Sequence, residues 1–218
     1  MAKRAVAQQP VSTVQEFDCI QGSDTWHALR CGIPTASEFG KIMANSEDKI
    51  GRAQLMKRLA GEIITGEPDT SFFKSAAMDR GNAMEPEARR AYALTHGVEV
   101  RQVGFVRNGK YGASPDGLIV GARRGLEIKT ASPSVLIDLL EKKKARKPPP
   151  NTHKAQIQGV MMVCDLDEVD LTTFWPKMPE CVWRFEREPG YIAELKERLD
   201  YFEYELRQMT KSLREMMA

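Results

Sequence analysis

The segment Ser114-Pro115-Asp116-Gly117, followed by Gly125-Leu126-Glu127-Ile128-Lys129-Thr130, constrains this chain more than any other feature. Pro115 and Gly117 bend the backbone around Asp116, while Leu126, Ile128 and Thr130 suit a strand. A strand's period of two puts Glu127 and Lys129 on one face and the apolar residues on the other. The fold must therefore hold two carboxylates and an ammonium together beside a sheet. Such a cluster of anions is costly unless a divalent cation neutralises it, and hard Mg²⁺ or Mn²⁺ prefers oxygen ligands. The pattern reads as a metal-dependent phosphodiesterase site in which the lysine polarises a water.

With 218 residues the chain has material for one substantial core carrying a helical extension. The expected organisation is a disordered tail over 1–14 and a single domain over 15–218. Lys and Arg number 32 against 30 Asp and Glu, a net charge of +2, so the chain is not a global polycation. Contact with a polyanion would have to come from local basic patches. Cys19, Cys31, Cys164 and Cys181 lack Cys-x-x-Cys spacing and the three histidines are scattered, which argues against structural zinc and against a disulfide framework. Residues 1–14 hold no apolar run of signal-peptide length, and no stretch reaches the ~20 apolar residues of a membrane span. The expectation is a soluble, intracellular protein.

Periodicity and breakers predict helices over 24–30, from a cap at 35–38 through 43, over 52–64, and over 74–96 with a short interruption at Gly81. Strands are expected over 98–107, 112–120 and 126–130, the first two joined by a hairpin turn at Asn108-Gly109. This hairpin and the strand after it are expected to carry the acidic residues. A helix over 133–142, a loop, a helix over 152–164 and strands over 168–175 and 181–186 follow. The order defines an α/β fold of the α+β kind: a central mixed β-sheet flanked by helices. A long C-terminal amphipathic helix over 190–217 closes the chain. Its stripe of Ile192, Leu195, Leu199, Phe202, Leu206, Met209, Leu213 and Met216 extends about 37 Å at 1.5 Å per residue, a pattern suited to a helix lying across the domain.

Between two of these helices, Lys142, Lys143, Lys144, Arg146 and Lys147 precede Pro148-Pro149-Pro150. Three prolines favour an extended polyproline conformation that holds the basic side chains away from the core. A solvated loop is the simplest reading. Beside a phosphodiesterase site the same charges could track a phosphate backbone.

Six ordered blocks carry a resemblance to a known family: Trp26-His27-Ala28-Leu29-Arg30, Thr35-Ala36-Ser37, Gly81 through Arg89, Ser114 through Gly117, Leu126 through Lys129, and Ala155-Gln156-Ile157-Gln158. In that order the chain resembles the phage lambda exonuclease family, YqaJ-like viral recombinases within the restriction-endonuclease-like nuclease superfamily. The resemblance implies a two-metal hydrolase. Asp116, Glu127, Glu85 and the carbonyl of Ile128 would bind two Mg²⁺ ions, with Mn²⁺ substituting, Lys129 would orient or activate the attacking water and Gln156 would line the site. Arg30, Thr35 and Ser37 match the family's pocket for a terminal 5′-phosphate; helix capping by the two hydroxyls is the competing structural role.

The family's activity implies a 5′-to-3′ exonuclease. It would degrade one strand of linear double-stranded DNA from 5′-phosphorylated ends, releasing mononucleotides and leaving a 3′ overhang. The resemblance further implies a homotrimeric ring around DNA, a single-strand annealing protein as partner, and a phage or prophage gene product in the cytoplasm of a bacterial host. Trp26 is expected to be a core anchor, and Val160 stands where many members of the superfamily place a tyrosine. An endonuclease of the same superfamily or a non-catalytic DNA-end-binding scaffold are the alternatives, whereas a two-carboxylate glycosidase would have little use for Lys129.

Overall fold

The computed structural model describes residues 13–44, 49–70 and 76–218. The chain runs β1 (Val14–Phe17), α1 (Asp24–Arg30), α2 (Phe39–Met43), α3 (Lys49–Thr65), α4 (Ala76–His96), β2 (Val100–Arg101), β3 (Phe105–Asn108), β4 (Tyr111–Ala113), β5 (Gly117–Ile119) and β6 (Arg124–Thr130). It continues through α5 (Pro133–Lys144), α6 (Lys154–Cys164), β7 (Glu168–Phe174), β8 (Cys181–Glu186) and α7 (Pro189–Met217). The mixed α/β architecture expected from sequence is the one observed, with one difference: the strands form two sheets. A five-stranded sheet has the order β2-β5-β6-β7-β8, and a three-stranded sheet the order β1-β3-β4. Val14, assigned by sequence to the tail, is the first residue of β1 and pairs with Asn108; residues 1–12 of that tail lie outside the described residues.

The division into two sheets follows from breaks in the two strand-like runs. Residues 102–104 interrupt the first run and residues 114–116 the second. Pro115 lacks the N–H needed to continue a ladder, so the chain leaves the small sheet at Ala113 and enters the large one at Gly117. The β3–β4 hairpin therefore belongs to the small sheet, and β5–β6 carries the acidic residues. Asn108 pairs with Tyr111, which makes Gly109-Lys110 the turn, with Gly109 at φ 60°. In the large sheet β6 and β7 are parallel, joined through α5 and α6, while the other pairs are antiparallel.

Alternation along β6 to β8 sorts the two faces. Leu126, Ile128 and Phe174 pack with Ala88 and Tyr92 of α4. Val169, Leu171, Trp183 and Phe185 join the main core with α6 and α7. Helix α4 passes unbroken through Gly81, contrary to the expected interruption; residues 74 and 75 of the expected helix lie outside the described residues. Gly81 sits where a Cβ would lie 3.3 Å from Thr130 Oγ1, so its small size lets α4 approach the end of β6.

Helix α7 buries the first part of its stripe, with Leu195, Leu199 and Phe202 at 0% exposure and Leu206 at 2%. Each such side chain contributes roughly 1.5–3 kcal/mol by burial. The stripe then leaves the core: Leu213 is exposed, and Met216 more so. Among the described residues no helix is long and apolar enough to cross a membrane.

Candidate active site

Asp116 stands in the bend before β5, directly beside the neighbouring strand: Gly117 pairs with Leu126. A Cβ at Gly117 would lie 2.4 Å from Val100 Cγ1, so only glycine lets β2 cover this point. Asp116 is held from both ends. Its Oδ2 accepts the Ile128 amide at 2.6 Å, and its carbonyl accepts Arg89 Nε at 2.7 Å. Gln21 Nε2 reaches the preceding Pro115 carbonyl at 3.2 Å.

Glu127 and Lys129 share the face of β6 that looks away from α4, as the strand period requires. Glu127 is only 2% exposed. One of its oxygens, Oε1, accepts Lys129 Nζ at 2.5 Å and Gln156 Nε2 of α6 at 2.6 Å. The other, Oε2, is buried without a hydrogen-bond partner. Glu85 of α4 completes the cluster and is paired with Arg89 one helical turn on.

The electrostatics reflect three carboxylates competing for too little positive charge. Burial, then the charges of Glu127 and Glu85, pushes the Asp116 carboxyl well above its usual range, against the pull of the Ile128 amide and Lys129. Burial also raises Glu85, with Arg89 opposing and Glu127 adding to the rise. Burial works to lower the Lys129 ammonium, but Glu127, Asp116 and Glu85 together hold its pKa above the ordinary lysine value. Lys129 is accordingly a charged donor rather than a neutral base. His153, at the start of α6, is pushed down by burial and by Lys129, which favours a neutral imidazole on this rim.

An unpartnered buried carboxylate oxygen beside two carboxyls whose pKa values are raised by burial and by neighbouring charge is the environment that a divalent cation relieves. Among the described residues no three His, Cys, Asp or Glu side chains form a metal cage on their own. Mg²⁺ does not require one, because it commonly uses one or two carboxylates and keeps several waters. The donor set therefore fits a hard divalent ion.

Arg30, Thr35 and Ser37 are brought together as the sequence suggested. Arg30 Nη2 donates to Thr35 Oγ1 at 3.2 Å, and the Thr35 and Ser37 hydroxyls lie 3.3 Å apart. Thr35 is the residue preceding a 3-10 turn, Ala36–Glu38, yet its side chain makes no capping bond. The five-residue α2 that follows is too short for a helix-dipole contribution of any weight. The Arg30–Thr35–Ser37 cluster is thus held together by its side chains. Trp26 is half-buried rather than a core anchor: the Arg30 guanidinium lies 3.9 Å from its ring centroid, and its Nε1 donates to Ser114 Oγ at 2.8 Å. Through Trp26 the cluster is tied to the segment that bears Asp116.

The basic cluster is arranged differently from the expected extended loop. Lys142, Lys143 and Lys144 form the last turn of α5, where cations complement the helix end. Lys143 donates to the Val182 carbonyl on the edge strand β8, and Lys144, Arg146 and Lys147 are exposed. Val160 is part of the core. Arg89, which clamps both Glu85 and Asp116, escaped the sequence reading although it closes the Gly81 block. The available signal was its place four residues after Glu85.

These features place the chain in a defined class. The model of the YqaJ-like viral recombinase domain matches residues 25–167, and the chain belongs to that family. Two crystal structures of LHK-Exo are similar at 28% identity, each covering 89% of this chain and 98% of its own. The complex with dAMP has a TM-score of 0.77. The other, described as an alkaline exonuclease from Laribacter hongkongensis, has 0.76. A phage-related exonuclease from Haemophilus somnus 129PT, at 15% identity and TM-score 0.64 over 86% of this chain and 99% of its own, shares the fold. Curated protein sequences give no match.

Proposed function

We propose that this protein is a divalent-cation-dependent 5′-to-3′ exodeoxyribonuclease that removes mononucleotides from one strand of linear duplex DNA. The observation carrying this reading is the buried, half-unpartnered Glu127 among Asp116, Glu85 and a charged Lys129, mechanically linked to the Arg30–Thr35–Ser37 pocket. Family membership and the likeness to an alkaline exonuclease that binds dAMP, a nucleoside monophosphate, support it. Asp116, Glu127, Glu85 and the Ile128 carbonyl would hold two Mg²⁺ ions, or Mn²⁺ in their place. Bound there, the metal supplies charge neutralisation at the scissile phosphate and a more acidic water.

The protein's own groups do the positioning. Lys129 orients the attacking water and offers its charge to the phosphate, while Gln156 fixes the rotamer of Glu127. Arg89 anchors the backbone at Asp116. Arg30 supplies a guanidinium fork for the terminal 5′-phosphate, with the Thr35 and Ser37 hydroxyls beside it. A phosphate held at a fixed distance from the acidic cluster selects an end, and each cut creates a new 5′-phosphate that can be drawn into the pocket. The wider assembly we propose is a homotrimeric ring acting with a single-strand annealing protein on the 3′ overhang, in the cytoplasm of a phage-bearing bacterium.

The test is Mg²⁺-dependent digestion of end-labelled linear duplexes with 5′-phosphate or 5′-hydroxyl, beside covalently closed circles. Mononucleotide release from phosphorylated ends with circles intact is the expected result, and Arg30→Ala should remove most of the preference for phosphorylated ends. Cleavage of circles would make the protein an endonuclease, and no cleavage would make it a binding scaffold. Lys142, Lys143, Lys144, Arg146 and Lys147 are proposed to contact the DNA backbone. Changing all five to Ser should weaken duplex binding and flatten its dependence on log salt by about 0.9 for each phosphate the protein no longer neutralises. An unaltered slope in a salt titration would remove them from the DNA path.

A further inference from the structure

The pocket that Arg30, Thr35 and Ser37 form already contains an anion of its own. Thr35 Oγ1 donates to Glu38 Oε2 at 3.1 Å. A threonine hydroxyl has one proton, so with that proton committed to Glu38, Thr35 meets Arg30 and Ser37 as an acceptor. The Ser37 hydroxyl, 3.3 Å away, then donates to Thr35. Both hydroxyl protons thus run in one direction, from Ser37 to Thr35 to the Glu38 carboxylate. An entering phosphate needs those same protons, and it needs Arg30.

Glu38 is fixed in this role from behind. Arg58 Nη2 pairs with Glu38 at 2.5 Å, and Arg58 Nη1 pairs with Glu62 at 2.7 Å. Glu62 is in turn held by the Gly32 amide at 2.7 Å and the Asp69 amide at 3.2 Å. Arg58 and Glu38 are each 14% exposed. Arg58 is therefore shared between two carboxylates and does not cancel Glu38 completely. The charge of Glu38 also reaches Arg30, whose guanidinium is otherwise depressed by burial and by Arg58.

We propose that Glu38 is a specificity-setting and positioning residue that occupies the hydroxyl donors of the 5′-phosphate pocket when no phosphate is there and competes with the phosphate when it arrives. The inference rests on the exonuclease reading given above. The competition has a kinetic use. A pocket of unopposed donors would bind each new 5′-phosphate tightly and release it slowly. A built-in carboxylate keeps Arg30, Thr35 and Ser37 aligned in the empty state and lowers the affinity enough for the end to exchange at every cycle.

The test compares wild type, Glu38→Gln and Arg58→Gln on linear duplexes with 5′-phosphate or 5′-hydroxyl ends, in steady state and in single turnover. Glu38→Gln keeps the shape and removes the charge. It should lower KM for phosphorylated ends about tenfold, a fraction of the Coulomb energy of neighbouring charges at a protein surface. It should also lower kcat relative to the single-turnover rate, because the end is released more slowly, and should change KM for hydroxyl ends much less than KM for phosphorylated ends. Arg58→Gln strengthens the uncancelled charge on Glu38 and should raise KM for phosphorylated ends. General loss of folding would shift both variants the same way, so opposite shifts identify the charge effect. If wild type favours phosphorylated ends but Glu38→Gln leaves KM unchanged or raises it, the proposal fails and the exonuclease reading stands. A wild type indifferent to the 5′-phosphate would overturn the pocket reading and this inference with it.

Discussion

Lys129→Met is expected to lower the rate of the proposed Mg²⁺-dependent nucleotide release by about a thousandfold, the middle of the range for losing one positioned proton-handling or charge-stabilising group. Lys129 donates to Glu127 at 2.5 Å and is the cation that the Glu127, Asp116 and Glu85 carboxylates jointly hold in its charged form. Methionine fills a similar volume and removes the charge. With its folded pKa held above the ordinary lysine value, Lys129 stays charged as pH rises through the alkaline range, so its stabilising contribution is lost only above about 10.4. Thermal unfolding of the variant, measured beside the rate, separates chemistry from folding, since Gln156 still donates to Glu127. A folded Lys129→Met variant within tenfold of the wild-type rate would remove Lys129 from the reaction.

The residues of this cluster were legible because their information is local. Glu127 and Lys129 are placed by the alternation of one strand, and Asp116 by a Pro-x-Gly bend one hairpin away. The α7 stripe was legible for the same reason, and Asp24–Arg30 matches its expected helix residue for residue. What escaped was set by distant partners. The continuous run 112–120 reads as one strand, and only its pairing with β3 on one side and β6 on the other shows that it breaks at Pro115 and serves two sheets. Gly81 reads as a helix interruption because glycine disfavours helix by about 1 kcal/mol. The approach of Thr130 across the fold, invisible in the sequence, gives that glycine a packing role instead. Glu38 resembles an ordinary first-turn acid until Arg58, twenty residues on, is folded against it. The end of the α7 stripe shows the opposite failure: the period continues to Met216, but the core it would cover has ended.

Asp170→Ala is expected to destabilise the fold by about 3 kcal/mol, the lower end of the cost of breaking a buried ion pair. Asp170 stands in β7 at 1% exposure, between the apolar Val169 and Leu171. It accepts the Tyr92 hydroxyl at 2.5 Å and the Arg184 guanidinium at 2.8 and 2.9 Å, with Arg124 Nε at 3.7 Å. Removing the carboxylate leaves a fully buried phenol without its acceptor and leaves Arg124 and Arg184 with only the more distant Glu168 carboxylate, at 3.8 and 3.6 Å. Arg184 is 48% exposed, so water recovers part of that loss and the cost stays below the upper limit. Tyr92→Phe removes one hydrogen bond and should cost only about 1 kcal/mol. Burial works to raise the Asp170 carboxyl, but Arg184, Tyr92 and Arg124 overcome it and lower the pKa. A group lowered on folding contributes stability above its unfolded pKa, near 3.9 for aspartate, and loses it as pH falls through the folded value. Denaturant titrations should therefore show the gap between wild type and Asp170→Ala fully open at pH 7 and narrowing below about pH 4. The network also fastens α4, which carries Glu85 and Arg89, to the central sheet, so Asp170→Ala should reduce nuclease activity although Asp170 lies on the opposite face of the sheet from Glu127. A gap that is constant with pH, or a loss no larger than that of Tyr92→Phe, would show that Asp170 is held by packing rather than by charge.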